Sequence, residues 1–136
     1  MKKVFLDTNV LLDFVTHRNG YEEACDILQL GEDSMISLYA SYLTMANTAY
    51  VARKGRTQEE LYEIIEGLSE MITVLSMDQN QLKDVLKLKA SDMEDVMQYV
   101  CALSNQCDLI ITRNTRHFSF SNIPVYTPTD FLDLYQ

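Results

Sequence analysis

Short apolar segments with β-strand character alternate with amphipathic helical segments along nearly all of this chain. The strand-like segments cover residues 2–6, 34–38, 72–77, 108–112 and 123–126. This alternation favours parallel strands joined by helical crossovers, because a parallel pair cannot be closed by a short hairpin. At 136 residues the chain has the length of one ordinary domain. We therefore predict a single α/β domain over residues 1–136, with a mostly parallel sheet of four to five strands and helices on both faces.

Capping residues and glycines mark where the predicted helices begin and end. Thr57 with Glu60, and Ser91 with Glu94, have the spacing of a capping box. Gly31 is expected to end the second helix, since glycine is common just beyond a helix C-terminus. The predicted helices cover residues 7–16, 21–30, 41–54, 57–69, 78–89 and 91–106, and a terminal helix begins at 127–129.

Charge and cysteine content limit the classes of function. The chain has 11 basic and 20 acidic side chains, a formal net charge of -9. This balance argues against tight nonspecific binding of nucleic acid by a basic surface, but not against an enzyme that holds nucleic acid through metal ions. The three cysteines form no CxxC pair, which is typical of reduced thiols. With neither a signal peptide nor a membrane-spanning apolar segment expected, we predict a cytoplasmic protein.

Ligand sites of such sheets lie beyond the carboxyl ends of the strands, which singles out residues 7–9, 41–47, 78 and 113–117 as candidates. Asp7 follows the first strand directly, and position alone leaves open whether it has a function or only caps the next helix. Asp92 and Asp95 have i, i+3 spacing on one helix, with Glu94 on a different face. They could simply stabilise the first turn. However, Asp95 is expected near the buried edge of that helix, where a carboxylate needs a partner such as a divalent cation.

A small basic cluster follows the strand at residues 108–112. Arg113, Asn114, Arg116 and His117 lie in this loop, and the arginines are candidates to contact phosphates. Judged by charge alone, an ordinary solvated loop is the favoured interpretation. A lone histidine such as His117 is only weak support for acid–base catalysis.

Three segments together resemble the PIN-domain family of metal-dependent nucleases, particularly the VapC-type toxins and their relatives. These are residues 4–13 (VFLDTNVLLD), 92–99 (DMEDVMQY) and 108–114 (DLIITRN). Each motif is weak alone, but their order, spacing and placement at strand ends make the match fairly specific. The resemblance extends over nearly the whole chain and implies one PIN-like domain.

This resemblance implies an endoribonuclease that hydrolyses RNA phosphodiester bonds with Mg²⁺ or Mn²⁺. Hard cations of this kind prefer oxygen ligands and activate a water molecule, so no covalent nucleophile is required. By position, Asp7 and Asp95 match the metal-binding catalytic acids, and Asp92 matches an additional acid of the same site. Further residues match positions that orient ligands or water around the metal: Thr8, Asn9 and Thr112.

Three positions depart from the family pattern. Asn47 stands where a glutamate is usual, Asn114 where many members have an aspartate, and His117 where an aspartate is common in the relatives that share both asparagines. An asparagine still offers a carbonyl oxygen to a metal or its water. With at most three carboxylates, the site is expected to bind its metal weakly, and one ion rather than two before substrate adds its own oxygens.

The resemblance leaves more than one function open. The leading hypothesis is a toxin ribonuclease that forms a homodimer and is silenced by a small antitoxin. The alternative is a catalytically weak or inactive PIN-like module that binds RNA or a partner and is indifferent to mutation of Asp7. A phosphotransfer domain is disfavoured, because Asn9 stands where a haloacid-dehalogenase-like phosphatase needs aspartate, and Arg113 where a receiver domain needs lysine.

Overall fold

The computed structural model of the protein describes residues 1–90 and 92–135. Within those residues the strands are β1 (Lys2–Leu6), β2 (Ile36–Ser41), β3 (Thr73–Leu75), β4 (Leu109–Ile111) and β5 (Val125–Tyr126). The helices are α1 (Thr8–Val15), α2 (Tyr21–Glu32), α3 (Tyr42–Ala52), α4 (Gln58–Met71), α5 (Gln79–Leu88), α6 (Met93–Ser104) and α7 (Pro128–Asp133), and a 3-10 turn covers Thr115–Phe118. No helix in these two ranges is both long enough and apolar enough to cross a membrane.

The five strands form one sheet in the order β3-β2-β1-β4-β5, and all four pairings are parallel. The predicted α/β fold with a mostly parallel sheet is therefore confirmed. The chain leaves the central strand β1 towards β2 and later returns to its other side as β4. The carboxyl ends of β1 and β4 thus form the switch point at which such sheets bind ligands.

Apolar side chains bury both faces of the sheet, as predicted. Val4 and Leu6 of β1 belong to one buried cluster with residues of α1 and α2. Phe5 points to the opposite face, where it packs in a second cluster with residues of α6. Because both faces are covered, β1 is apolar at consecutive positions instead of alternating with polar residues.

Several predicted element boundaries were wrong or shifted. Gly31 lies inside α2 and does not end it; a Cβ at this position would collide with the side chain of Leu38. Strand β2 starts and ends later than the predicted 34–38. The capping box of Thr57 and Glu60 is confirmed. At α6 the N-cap is Asp92, and the predicted cap Ser91 lies outside the described residues.

Candidate active site

An open cleft of about 380 Å³ lies at the carboxyl ends of the central strands. The first turns of α1 and α6 and the middle of α3 contribute its walls. The cleft is lined by Asp7, Thr8, Asn9, Leu12, Asn47, Tyr50, Val51, Asp92, Glu94, Asp95 and His117. The structure therefore brings together the three predicted acids, although they are up to 88 residues apart in sequence.

Asp7 is a buried carboxylate whose two oxygens are each fixed by a hydrogen bond. Thr8 N donates to Oδ1 at 2.9 Å, and Thr112 Oγ1 donates to Oδ2 at 2.8 Å. Burial raises the pKa of Asp7, while these two hydrogen bonds oppose the rise by favouring the ionised form. The residue caps α1, as predicted, and its side chain also lines the cleft. Capping and a role in the site are therefore compatible.

Among the acids of the cleft, Asp95 has the carboxyl group whose pKa is shifted most. Its side chain is only 15% exposed. Burial, reinforced by repulsion from Asp92 and Asp7, raises the pKa of Asp95 to about 6. Its buried Oδ2 accepts no hydrogen bond, although His117 Nδ1 lies 3.4 Å away. A buried carboxylate oxygen without a donor has room in its coordination for a cation.

Glu94 also lines the cleft, contrary to the expectation that it faces elsewhere. Its Oε1 accepts a hydrogen bond of 2.7 Å from Asn47 Nδ2. Burial, and then repulsion from Asp7 and Asp92, raises the pKa of Glu94. The cleft consequently holds four carboxylates instead of the expected three. The one signal in the sequence for this fourth carboxylate was Asn47. It stands where the family usually has a glutamate, which leaves room for an acid from another helix beside it.

In the loop after β4, some side chains lie at the cleft and others point away from it. Asn114 N donates to Thr112 Oγ1 at 3.2 Å, and Asn114 Nδ2 donates to His117 Nε2 at 3.0 Å at the rim. Arg113 turns to Asp13, which it contacts at 3.0 Å. Arg116 is exposed on the 3-10 turn and does not line the cleft.

A buried network of polar side chains lies beneath the cleft, and the sequence did not predict it. Gln98 is completely buried on α6, and its Nε2 donates to Thr44 Oγ1 at 2.7 Å and to Thr8 Oγ1 at 3.3 Å. Its Oε1 accepts from Ser41 Oγ at 2.6 Å. The network joins the starts of α1 and α3 to α6, and these three helices with their N-cap residues supply the polar residues that line the cleft, apart from His117. A glutamine between the buried Val96 and Val100 was the available signal.

The donor set fits a hard divalent cation. In the parts of the chain that the structure describes, no group of three or more His, Cys, Asp or Glu side chains is close enough together to hold a metal ion as it stands. The four acids instead face an open cleft, offer oxygen ligands only, and repel one another. A cation would relieve that repulsion and supply a partner for Asp95 Oδ2.

The sheet order and the acidic cleft define a small α/β domain of the type that places an acidic site at the switch point of a parallel sheet. The chain matches the family described as PIN domain over residues 3–116. It therefore belongs to the PIN domain family, as its motifs indicated.

Individual relatives agree with this assignment. The chain is 25% identical to Ribonuclease VapC1 of Aquifex aeolicus (strain VF5) over 138 residues, which cover 97% of this chain and 94% of the relative. It is similar in fold to VapBC-1 from nontypeable Haemophilus influenzae, with a TM-score of 0.70 and 19% identity over 93% of this chain and 98% of that one. DNA-bound VapBC from Salmonella typhimurium gives a TM-score of 0.71 and 23% identity over 94% and 99% of the two chains.

Proposed function

We propose that this protein is a metal-dependent endoribonuclease that hydrolyses RNA phosphodiester bonds. The observation that carries the proposal is the buried Oδ2 of Asp95, which has no hydrogen-bond donor and belongs to a cleft with three other carboxylates. The relative named Ribonuclease VapC1 supports the same activity. Mg²⁺ or Mn²⁺ is the proposed ion, because both accept carboxylate, amide and water oxygens.

Each residue of the cleft has a defined task in this proposal. Asp7 and Asp95 would hold the ion, with Asp92 and Glu94 completing its negative surroundings. When bound, the ion supplies an activated water and neutralises charge on the phosphate. Thr112, through its hydrogen bond to Asp7, keeps that carboxylate oriented before the ion arrives.

Polar but uncharged residues surround the acids. Asn9 and Asn47 line the cleft, and Asn114 lies at its rim beside His117. Their amide groups can orient water or a phosphate oxygen without adding further negative charge. This matters in a protein of net charge -9, whose substrate is a polyanion.

We further infer that the protein is the toxin of a toxin–antitoxin pair, acts in the cytoplasm, and forms a homodimer. Support for the antitoxin comes from the structural relatives, which include VapBC from Salmonella typhimurium and a toxin–antitoxin complex from Klebsiella pneumoniae. The proposed partner is a small protein that occludes the cleft. Co-expression with the product of an adjacent short reading frame, followed by co-purification, would test this partner directly.

The decisive experiment for the activity incubates the purified protein with structured and single-stranded RNAs in Mg²⁺, Mn²⁺ or EDTA. Asp7→Asn and Asp95→Asn are compared with Asp84→Asn, which removes an exposed aspartate of α5. Cleavage should require the metal, disappear in the first two variants and persist in the third. Metal-independent cleavage, or full activity of Asp7→Asn, would contradict the proposal.

The alternative is a PIN-like module that binds RNA or a partner without cleaving RNA. Asn47 and Asn114, at positions where acids are usual in the family, favour this function. A folded wild-type protein that binds RNA but leaves every RNA of the panel intact with either metal would support it.

A further inference from the structure

One buried carboxylate lies outside the cleft and has no task in the proposed hydrolysis. Asp13, near the end of α1, has a side chain that is 1% exposed. Its Oδ1 accepts from Arg18 Nε at 3.2 Å and from Arg113 NH1 at 3.0 Å. Burial raises the pKa of Asp13, and the guanidinium groups of Arg113 and Arg18 oppose that rise. A buried carboxylate is unfavourable in itself, so its retention here calls for an explanation.

The two arginines that Asp13 holds remain accessible to a ligand. Their side chains are 39% exposed for Arg18 and 43% exposed for Arg113. A guanidinium group has five N–H donors, and Arg113 uses one of them on Asp13. Guanidinium groups fixed in this way are suited to phosphate oxygens, because little side-chain freedom remains to be lost on binding.

Both arginines are connected to the cleft. Arg18 NH2 donates to Oδ1 of Asn9, at 3.3 Å, and Asn9 lines the cleft. Arg113 directly follows Thr112, whose hydroxyl donates to Asp7. The Arg18 guanidinium therefore reaches the wall of the cleft at Asn9, whereas the Arg113 guanidinium lies at Asp13, just outside the residues that line the cleft.

The loop that carries Arg18 is fitted closely around Asp13. Arg18 N donates to Asp13 O at 3.2 Å. Gly20 adopts a left-handed conformation with φ of 97°, and a Cβ added there would lie 2.6 Å from Asp13 Oδ2. A larger residue would push this loop, and Arg18 with it, away from the carboxylate. The backbone and the buried side chain thus hold Arg18 in one place.

We propose that Asp13 is a positioning residue that holds Arg18 and Arg113 as a clamp for RNA backbone phosphates next to the cleft. The inference rests on the proposed ribonuclease function and names a contact for its substrate. In an acidic protein, the clamp gives the strand two fixed positive contacts that do not depend on the metal. Such contacts are sequence-independent, so any single-stranded RNA oligonucleotide can serve as the probe.

The first test measures how RNA affinity depends on salt, in an Asp7→Asn background chosen to prevent cleavage. Fluorescence anisotropy of a labelled single-stranded RNA is recorded over a series of KCl concentrations. Loss of two phosphate contacts in Arg18→Gln/Arg113→Gln should reduce the slope of log K against log salt by about 1.4, at ~0.7 per contact. Lys2→Gln removes a positive charge at the opposite end of β1 and should leave the slope unchanged.

The second test separates positioning from simple charge. Asp13→Asn removes a negative charge, so long-range electrostatics alone would strengthen RNA binding. The clamp predicts instead that RNA binding becomes weaker by about fivefold. In the protein that retains Asp7, the KM for cleavage should rise by a larger factor than kcat falls. If this variant does not fold, Arg18→Lys/Arg113→Lys replaces it; both charges stay but the planar donors are lost, so affinity should fall while the salt slope is retained.

The outcomes for the clamp and for the ribonuclease are distinct. RNA cleavage by the wild type together with an unchanged salt slope in the arginine variant would overturn the clamp alone. A reduced slope with no cleavage under any condition would retain the clamp and contradict the nuclease. Failure of the Asp7→Asn protein and of the wild type to bind RNA at low salt would also overturn the clamp.

Discussion

At the scale of single residues, the surroundings of Asp95 suit the binding of a cation but lower the stability of the metal-free fold. Its buried Oδ2 accepts no hydrogen bond, with His117 Nδ1 3.4 Å away, and burial next to other acids raises the pKa of Asp95 to about 6. An unfolded aspartate ionises near 3.8, so the folded state without metal disfavours the charged form. Functional residues often lower the stability of the folded protein in this way.

This imbalance predicts that Asp95→Asn stabilises the metal-free protein. The folded state retains a proton on Asp95 up to about pH 6, whereas the unfolded state releases it near 3.8. The contribution of Asp95 to wild-type stability should therefore fall as pH rises between these values. At pH 7.5 in EDTA, we expect the variant to be more stable by roughly 1 kcal/mol after allowing for partial exposure, or about 3–5 °C in Tm.

Thermal unfolding in EDTA from pH 3.5 to 8 checks this expectation. The difference between the two proteins should vanish below about pH 4. Adding Mg²⁺ at pH 7.5 should raise the Tm of the wild type more than that of the variant, because only the wild type has the full set of carboxylates. Equal Tm values in EDTA at pH 7.5 would show that Asp95 is not strained by its surroundings.

Glu94 gives a second prediction at this scale. Glu94→Gln keeps an oxygen that can accept from Asn47 but removes one of four charges in the cleft. We expect metal-dependent cleavage to fall about 10–100-fold, with a higher Mg²⁺ concentration needed for half-maximal activity. Rate measurements over a Mg²⁺ titration test this, with Glu66→Gln on the exposed face of α4 as the matched control. Unaltered metal dependence in Glu94→Gln would exclude the residue from the site.

At the scale of secondary-structure elements, Gln98 fixes the relative positions of three helices. Its side chain bonds with residues at the starts of α1 and α3, and Asp95 lies one turn earlier on the same helix. Within a buried network, each hydrogen bond depends on the others being made. The positions of the acids therefore depend on a residue that does not touch the cleft.

Replacing Gln98 by Met, which is similar in size, should destabilise the fold. Thr44, Thr8 and Ser41 would lose their shared partner in a buried environment. We expect a loss of about 1–3 kcal/mol, because the three buried hydroxyls would keep only their contacts with one another, Thr8 with Thr44 at 3.1 Å and Ser41 with Thr44 at 3.3 Å. Urea unfolding measures it, and Met97→Leu, a conservative change at the neighbouring position, is the control. A loss below about 0.5 kcal/mol would mean that these hydroxyls find other partners.

Element boundaries were predictable where the signal is local and unpredictable where it depends on packing. The capping box of Thr57 and Glu60 uses only residues three positions apart, and it is present. Gly31 looked like a helix stop, but it is glycine because Leu38 of β2 packs against it. No local pattern distinguishes these two uses of glycine.

At the scale of the whole molecule, the rule for parallel sheets was enough to bring Asp7, Asn47 and His117 to one edge, whereas Asp95 was assigned to the same site by resemblance to the PIN-domain family. The rule needs only the strand and helix order, which the sequence pattern contains. Glu94 and Gln98 were missed because their partners lie 47 and 90 residues away on other helices. Asp13 was missed for the same reason, since Arg113 is 100 residues away.

The overall charge leads to the last prediction, which concerns the need for a cation in RNA binding. With a net charge of -9 and four acids in the cleft, the metal-free protein repels phosphate close to its candidate active site. A cation held by those acids would reverse the sign of the local field.

At constant ionic strength, we expect Ca²⁺, which takes the same oxygen ligands, to raise the affinity for single-stranded RNA about tenfold over EDTA. Hexaamminecobalt(III), which screens charge but cannot exchange its ammonia for carboxylates, should restore much less. Anisotropy titrations in the three conditions decide this; equal affinity with Ca²⁺ and with hexaamminecobalt(III) would mean that screening, not ligation in the cleft, governs RNA binding.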